Sequence, residues 1–303
     1  MAGLLQVELM ALNQCPVCET KERKRIVQLK ESTVYECMFC RLRYLDPCLS
    51  PQAMRGAYES DQSLANLHLF HEGYYQYGDL TVKSKTMQDY TRALELLESS
   101  IPQKGERSIF DAGFGNGFFL AVAKQRGWKV AGSDSSPQNV TLASEKFSLK
   151  LACSDFENYD SHGTEYDAVS FWDVIEHLSN PHQALEKAHQ MLKPGGFILI
   201  GLPNDKSLLR FLSFFVYQIS FNQIRKGIEK VYFLEHVSYF NYESLHELLK
   251  RNDFTYRRHF FTNTDLARYA LSLVDKIIAH SILFAGTWLH LQNRLIAVFQ
   301  KNS

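Results

Sequence analysis

Several groups of residues in this chain have the type and spacing to do chemistry. Two C-x-x-C knuckles, Cys15 with Cys18 and Cys37 with Cys40, are separated by eighteen residues. Four thiolates so spaced can surround one tetrahedral zinc ion. A redox dithiol needs only one such knuckle, and with all four positions committed to the metal the expected role is structural. The loop Asp111-Ala112-Gly113-Phe114-Gly115-Asn116-Gly117 carries glycines at alternate positions, where a ligand can approach the backbone closely. Acids recur further on, at Asp134 and at Asp155, the latter followed by Phe156. Two acid–imidazole groups, Asp173-Val174-Ile175-Glu176-His177 and Glu235-His236, hold side chains able to move a proton.

These residues need a scaffold, and the patterns around them supply one. Residues 107–111 read as a strand and 118–126 as an apolar helix, so the glycine loop is a strand-to-helix turn. Such a turn is expected to aim free amides at its ligand. The spacing is G-x-G-x-G, not the G-x-G-x-x-G of a dinucleotide site, because Phe118 fills the last position. Asp111 would repel a pyrophosphate. Both features favour a ligand with a cation beside a nucleoside, and S-adenosylmethionine has an α-ammonium, a sulfonium and a ribose. Asp134 ends a second strand, 129–134, where an acid can accept both ribose hydroxyls or serve as a plain turn acid. A third strand, 150–153, leads to Asp155 and Phe156, which either meet the adenine or form an ordinary loop. Strands at 166–172, 197–202, 254–262 and 295–299, with helices between, predict an α/β fold. The sheet is expected to be doubly wound, seven-stranded, mostly parallel and Rossmann-like, with an antiparallel last strand.

At 303 residues, with 45% hydrophobic content, the chain suits one sizeable domain with a small appendage. The expected division is a zinc-ribbon-like segment at 1–50, a tyrosine-rich linker or substrate mouth at 51–80, and the sheet domain at 81–303. Helical insertions are expected near 205–230 and 265–291. Thirty-three basic and thirty-three acidic residues cancel, which argues against a nucleic-acid partner. Residues 1–14 lack the basic region of a signal peptide. Six cysteines then suit a reducing compartment, the cytoplasm, with Cys48 and Cys153 as small apolar residues. The apolar stretch 207–221 is too short to span a bilayer and reads as a lid, a buried helix or a peripheral membrane contact. The amphipathic 265–291 connection fits a homodimer face, a lid partner or a membrane-surface helix.

Taken in order, Asp111-Ala-Gly113-Phe-Gly115-Asn-Gly117, Asp134, Asp155-Phe156, Asp173-Val-Ile-Glu-His177-Leu and Leu192-Lys-Pro-Gly-Gly196 resemble class I S-adenosylmethionine-dependent methyltransferases. The likeness runs over about residues 81–300 and is closest to the small-molecule branch with ubiquinone-type O-methyltransferases. It implies that Gly113, Gly115 and Gly117 cradle the methionine moiety, with Asp111 near its ammonium. It further implies that Asp134 holds the ribose, Asp155 and Phe156 meet the adenine, and Trp172 and Asp173 border the sulfonium. Asp173-x-x-Glu176-His177 is also similar to an E-x-x-E-H pattern that binds magnesium in some O-methyltransferases. A cysteine-rich ribbon before such a domain, with a Glu-His pair late in the chain, is similar to sugar C-methyltransferases. His236 is therefore either a general base oriented by Glu235 or a structural histidine, and His177 is counted as a further catalytic candidate. The implied function is methyl transfer to a small-molecule, sugar or lipid-like acceptor, on oxygen or carbon. An RNA methyltransferase that grips RNA with its zinc ribbon, or a cofactor-binding protein without turnover, are the other expectations.

Overall fold

Runs such as Phe197-Ile198-Leu199-Ile200 and Leu295-Ile296-Ala297-Val298-Phe299 show no polar alternation, the pattern of strands covered on both faces. The computed structural model, which describes residues 8–59, 84–101, 105–266 and 272–302, buries both runs inside a sheet. In chain order, β1 (Leu9–Met10), β2 (Arg23–Gln28), β3 (Thr33–Cys37), β4 (Arg43–Asp46) and β5 (Cys48–Leu49) form the cysteine-rich segment, followed by α1 (Pro51–Glu59). The next elements are α2 (Lys85–Glu98), β6 (Arg107–Ala112), α3 (Phe118–Gln125), β7 (Trp128–Asp134), α4 (Pro137–Phe147), β8 (Ala152–Cys153) and β9 (Tyr166–Trp172). Then come α5 (Pro181–Met191), β10 (Leu192–Pro203), α6 (Leu208–Ile219), α7 (Lys226–Val231), β11 (Ser238–Tyr239), α8 (Tyr242–Arg251), β12 (Phe254–Thr262), α9 (Leu273–Trp288) and β13 (Arg294–Lys301).

The sheet has the seven strands that the alternating pattern predicts and runs β12-β13-β10-β9-β6-β7-β8. All neighbours are parallel except around β13, which pairs antiparallel with both β10 and β12. The order reverses at β6, so the carboxyl ends of β6, β7 and β9 open onto one crevice. Local chemistry starts the helices around it. Ser84 caps α2, Ser136 caps α4 ahead of Pro137, and Asn241 and Ser244 cap α8 reciprocally.

Element boundaries differ from the sequence reading in places. β10 starts at Leu192, and its register against β9 shifts between Leu192 and Phe197, so the Lys193-Pro194-Gly195-Gly196 turn is absorbed as an irregularity of the strand. β8 shrinks to two residues. Glu176 and His177 lie in a single 3-10 turn, Ile175–His177, ahead of α5. Of the two cysteines read as small apolar residues, Cys48 is buried and Cys153 is exposed. The tyrosines at 74, 75 and 77, expected in a linker or at a substrate mouth, lie outside the described residues.

The cysteine-rich segment shares its packing with the sheet domain. Its antiparallel sheet runs β11-β4-β3-β2, so the last place is taken by a strand from nearly two hundred residues later. The four cysteines fall in the same apolar cluster as Phe110, Phe171 and Leu248. His182 on α5 donates through Nε2 to the Val17 carbonyl at 2.9 Å, tying the first knuckle to the sheet domain.

Candidate functional site

β6 ends at Asp111-Ala112, and the chain turns into α3 through Gly113, Gly115 and Gly117, all at positive φ. Their amides are not aimed at a ligand, as the sequence reading expects. Gly113 N–H donates to the Ser133 carbonyl at 2.8 Å, Gly115 N–H to Asp134 Oδ2 at 2.8 Å, and Gly117 N–H to the Phe114 carbonyl at 3.0 Å. The loop is thus pinned to β7 and offers close backbone approach instead of a nest of donors, which suits a cation better than a phosphate. Gly113 and Gly115 line a cavity of 1430 Å³, whereas Gly117 is not on its wall. A Cβ at Gly117 would meet that of Ala143 at 2.7 Å, so this glycine lets α3 pack on α4.

Asp111 lies at the bottom of the cavity, 1% exposed. Its Oδ1 accepts from Ser170 Oγ at 2.6 Å, while Oδ2 has no hydrogen-bond partner among the described residues. Burial, aided by the nearby Asp134 charge, pushes the Asp111 carboxyl up to about 8. A buried carboxylate with an open oxygen is stabilised by an incoming cation. Asp134 shares the cavity wall and already accepts three bonds, from Gly115 N–H, Ser136 N–H at 2.9 Å and Asn139 Nδ2 at 3.1 Å. A carboxylate has about four lone-pair sites, so one stays open to a hydroxyl. Asp155 and Phe156 line the same wall; Asp155 pairs with Arg55 of α1 at 2.8 Å, and the Phe156 ring packs on Phe110 and Phe171.

β9 delivers Trp172 and Asp173. The Trp172 ring is edge-on to Tyr90 of α2 at 4.7 Å, and its Nε1–H is buried without a hydrogen-bond partner among the described residues. Asp173 has φ +55°, a conformation Asp tolerates better than most residues, and faces Arg294 Nη1 of β13 at 2.8 Å.

Glu176, His177 and His236 bring one ligand atom each to within 4.8 Å of one another. Asp173, the first acid of the Asp-x-x-Glu-His pattern, is not in this group and pairs with Arg294 instead. His177 Nδ1 lies 2.7 Å from the Glu235 carbonyl, which can only accept, so the proton sits on Nδ1 and Nε2 carries the lone pair. Burial pushes the His177 ring down to about 4 and keeps it neutral. Burial also raises Glu176 well above the carboxylate range, with the Asp173 charge adding to it, and pushes Glu235 up to about 7. The His177 and His236 rings meet edge to face at 4.6 Å, and both line the cavity. Glu235 does not reach the cavity wall; its main chain positions His177.

The four knuckle cysteines cluster within 4.8 Å, with Cys15 Sγ 3.5 Å from Cys40 Sγ and Cys18 Sγ 3.3 Å from Cys37 Sγ. A disulfide would need about 2.05 Å. Amides of Val17, Phe39 and Cys40 point at the sulfurs of Cys15 and Cys37, which favours thiolates. The donor set and spacing fit a tetrahedral zinc ion with no open position.

Long-range partners are the functional residues that sequence reasoning missed. Arg294 and Arg55 reach the site from β13 and α1, and no local pattern marks either. Below the cavity, Asp205 takes Arg210 at 2.7 Å and Arg43 at 3.4 Å, while the Tyr232 hydroxyl accepts from Arg43 at 2.8 Å. The Arg210 guanidinium also lies over the Tyr239 ring at 4.6 Å. This knot joins β4, the loop after β10, α6 and β11.

The methyltransferase domain family matches residues 83–259. Among curated proteins, the chain is similar to the ubiquinone biosynthesis O-methyltransferase of Cereibacter sphaeroides, 27% identical over 113 residues, covering 36% of this chain and 45% of the relative. The protein of the same name from Coxiella burnetii is 22% identical over 139 residues, covering 44% and 59%. The matched part thus spans about half the length of these relatives. Among solved structures, Burkholderia thailandensis 1,6-didemethyltoxoflavin-N1-methyltransferase, with its substrate and S-adenosylhomocysteine bound, is 15% identical with a TM-score of 0.54, covering 93% of this chain and 100% of that one. Magnesium protoporphyrin IX methyltransferase from Synechocystis, with S-adenosylhomocysteine bound, is 15% identical with a TM-score of 0.52, covering 83% and 99%. At these identities the likeness establishes the fold.

Proposed function

The chain belongs to the methyltransferase domain family, and from that premise we propose that it moves a methyl group from S-adenosyl-L-methionine to a small, largely apolar acceptor. The observation that carries this reading is the open oxygen of buried Asp111 beside a loop whose glycine amides are already spent. Asp111 would hold the cofactor's ammonium, Gly113 and Gly115 would pass its methionine part, and the last free site of Asp134 would take the ribose. Phe156 supplies an apolar face for the adenine, with Asp155 at its edge. Trp172 and Asp173 would flank the sulfonium. Bound there, the cofactor supplies an electrophilic methyl carbon, and the protein contributes mainly orientation, worth roughly 7–11 kcal/mol in well-aligned systems.

The cavity of 1430 Å³ exceeds the roughly 300–1,000 Å³ of most ligand pockets, so an acceptor fits beside the cofactor. The curated relatives are named for O-methylation, which makes a hydroxyl acceptor the first to try, with carbon second. His236 would take the hydroxyl proton as the atom is methylated, while neutral His177 keeps its lone pair on Nε2 beside it. Zinc held by Cys15, Cys18, Cys37 and Cys40 would be structural, and a reducing cytoplasm suits these thiols.

Calorimetric titration with S-adenosylmethionine and S-adenosylhomocysteine tests the reading. Saturable binding of both, weakened in Asp111→Asn, supports it. Absence of heat with either ends it.

A further inference from the structure

The strongest feature the methyl-transfer reading leaves unused is the outer face of α6 and α9. α9 reads Leu-Val-Asp-Lys-Ile-Ile-Ala-His-Ser-Ile-Leu-Phe-Ala-Gly-Thr-Trp, yet among its sixteen residues only Gly286 is buried. A helix this apolar is normally enclosed. Here Leu273 is 75% exposed and Trp288 76%, with Ile277 and Phe284 also outside. α6 packs on the cysteine-rich segment through Phe214 and Tyr217 and turns the stacked rings of Phe211 and Phe215 outward. Just past it, Phe221 is 89% exposed, next to exposed Ile224. The two helices touch each other, with the Leu208 N–H donating to the Leu291 carbonyl at 2.9 Å and Gly286 set against Leu208, so their apolar faces make one surface.

Charge indicates what covers it. Lys206 and Arg210 are spent on Glu243 and Asp205, but beside exposed Phe221 and Ile224 the segment 219–231 carries Arg225, Lys226 and Lys230 against one acid, Glu229, a net of +2 from three minus one in a chain whose total is zero. The single acid of α9, Asp275, is balanced by Lys276. A second copy of the chain docked through the same face by a two-fold axis would set basic segment against basic segment. An anionic lipid surface complements it, and aromatic side chains beside lysines and arginines are the usual anchors at a bilayer interface.

We propose that the α6–α9 face is a monotopic docking site for an anionic lipid bilayer. No helix among the described residues is long and apolar enough to cross a membrane, so the contact lies in the interface plane. The same two helices wall the cavity through Leu209, Ser213, Ile278 and Ile282. On the methyl-transfer reading, this places the acceptor end of the cavity against the lipid phase, and an apolar acceptor would enter between the helices without crossing water.

The chain carries its own reporter, because Trp128 and Trp172 are buried and Trp288 is exposed. Full-length protein is incubated with phosphatidylcholine vesicles with and without phosphatidylglycerol. Docking predicts sedimentation with the phosphatidylglycerol vesicles, a blue shift of Trp288 emission, quenching by acyl-brominated lipid, and release by salt. Trp288→Phe should abolish the shift while sedimentation persists. Phe221→Ser with Ile224→Ser, neither of which lines the cavity, should weaken partitioning by about tenfold or more. Cofactor titration of the same variants separates a lost membrane contact from a failed methyltransferase reading. Sedimentation with neither vesicle, equal binding to both, or a dimer whose Trp288 emission is already blue in buffer would each overturn the proposal.

Discussion

The two walls of the cavity are built by different means. One wall consists of strand ends, where Asp111, Asp134 and Asp155 sit at the carboxyl ends of β6, β7 and β8, with most of their partners on the next loop or strand. The other wall consists of α6 and α9, apolar and largely exposed, held from below by the Arg43–Asp205–Arg210 knot. The strand-end wall recognises through fixed carboxylates and backbone. The helical wall recognises by shape and greasiness, and its position depends on the cysteine-rich segment. Binding of the methyl donor and binding of the acceptor should therefore be separable by mutation.

The largest expected effect lies at the junction of the two walls. His236→Ala should slow turnover by about 10²–10⁴-fold while cofactor affinity stays near wild type. Unchanged turnover would remove His236 from the chemistry and leave it a packing residue against His177. Next in size, Asp205→Ala leaves the buried Arg210 guanidinium without its carboxylate and Arg43 with that of Glu36 alone, and denaturant unfolding should register a loss of about 3–5 kcal/mol. If the walls are independent, the folded variant keeps its cofactor affinity and loses acceptor affinity; parallel loss of both would erase the distinction.

At the strand-end wall, Asp111→Asn should weaken cofactor binding by about tenfold to a hundredfold, the usual worth of a charge-assisted contact. It also carries a pH signature. The folded Asp111 pKa of about 8 lies above the ordinary carboxylate value, so the ligand-free fold holds its proton longer than the unfolded chain does. Its contribution is present at low pH and is lost as pH rises towards 8. His177 works in the opposite sense, since a folded pKa of about 4 costs stability as pH falls below 6.5. Above 6.5 the downward slope belongs to Asp111, to Glu176, which burial also raises well above the carboxylate range, and, up to about 7, to Glu235. Thermal melts across this range should fall for the ligand-free wild type and fall less for Asp111→Asn. Cofactor affinity, which needs the ionised carboxylate, should climb over the same interval. The smallest contrast is between cysteines. Cys153→Ser should change stability by no more than about 0.5 kcal/mol, whereas Cys37→Ser should abolish stoichiometric zinc by metal analysis.

The same division sets what could be read from sequence. The glycine loop, the acids at successive strand ends and the cysteine knuckles announce themselves because spacing along the chain fixes their geometry, and the sheet followed from apolar runs. Two expectations failed for a local reason. Gly117 looked like a ligand contact but serves helix packing, and the glycine amides looked free but bond to β7 at Gly113 and Gly115 and within the loop at Gly117, because the folded loop and its partner strand decide where an amide points. Arg294, Arg55 and the Arg43 arm of the Asp205 knot were invisible, since each pairs residues far apart in sequence. Glu235 was placed beside His236 as an orienting carboxylate. The main-chain carbonyl of Glu235 fixes the proton of His177, and no side-chain pattern encodes a carbonyl.

Consider finally the order in which the chain leaves a ribosome. β2, β3 and β4 emerge early, and with zinc they can begin a sheet, but the strand that completes it, β11, follows 192 residues after Asp46, from 238 minus 46. At roughly 5–20 residues per second, that interval is on the order of ten to forty seconds. Throughout it, the exposed edge of β4 and the buried side of the knuckles stand uncovered, and the knot at Asp205 cannot close. An early-bound metal would hold the nascent segment in register until its missing strand arrives.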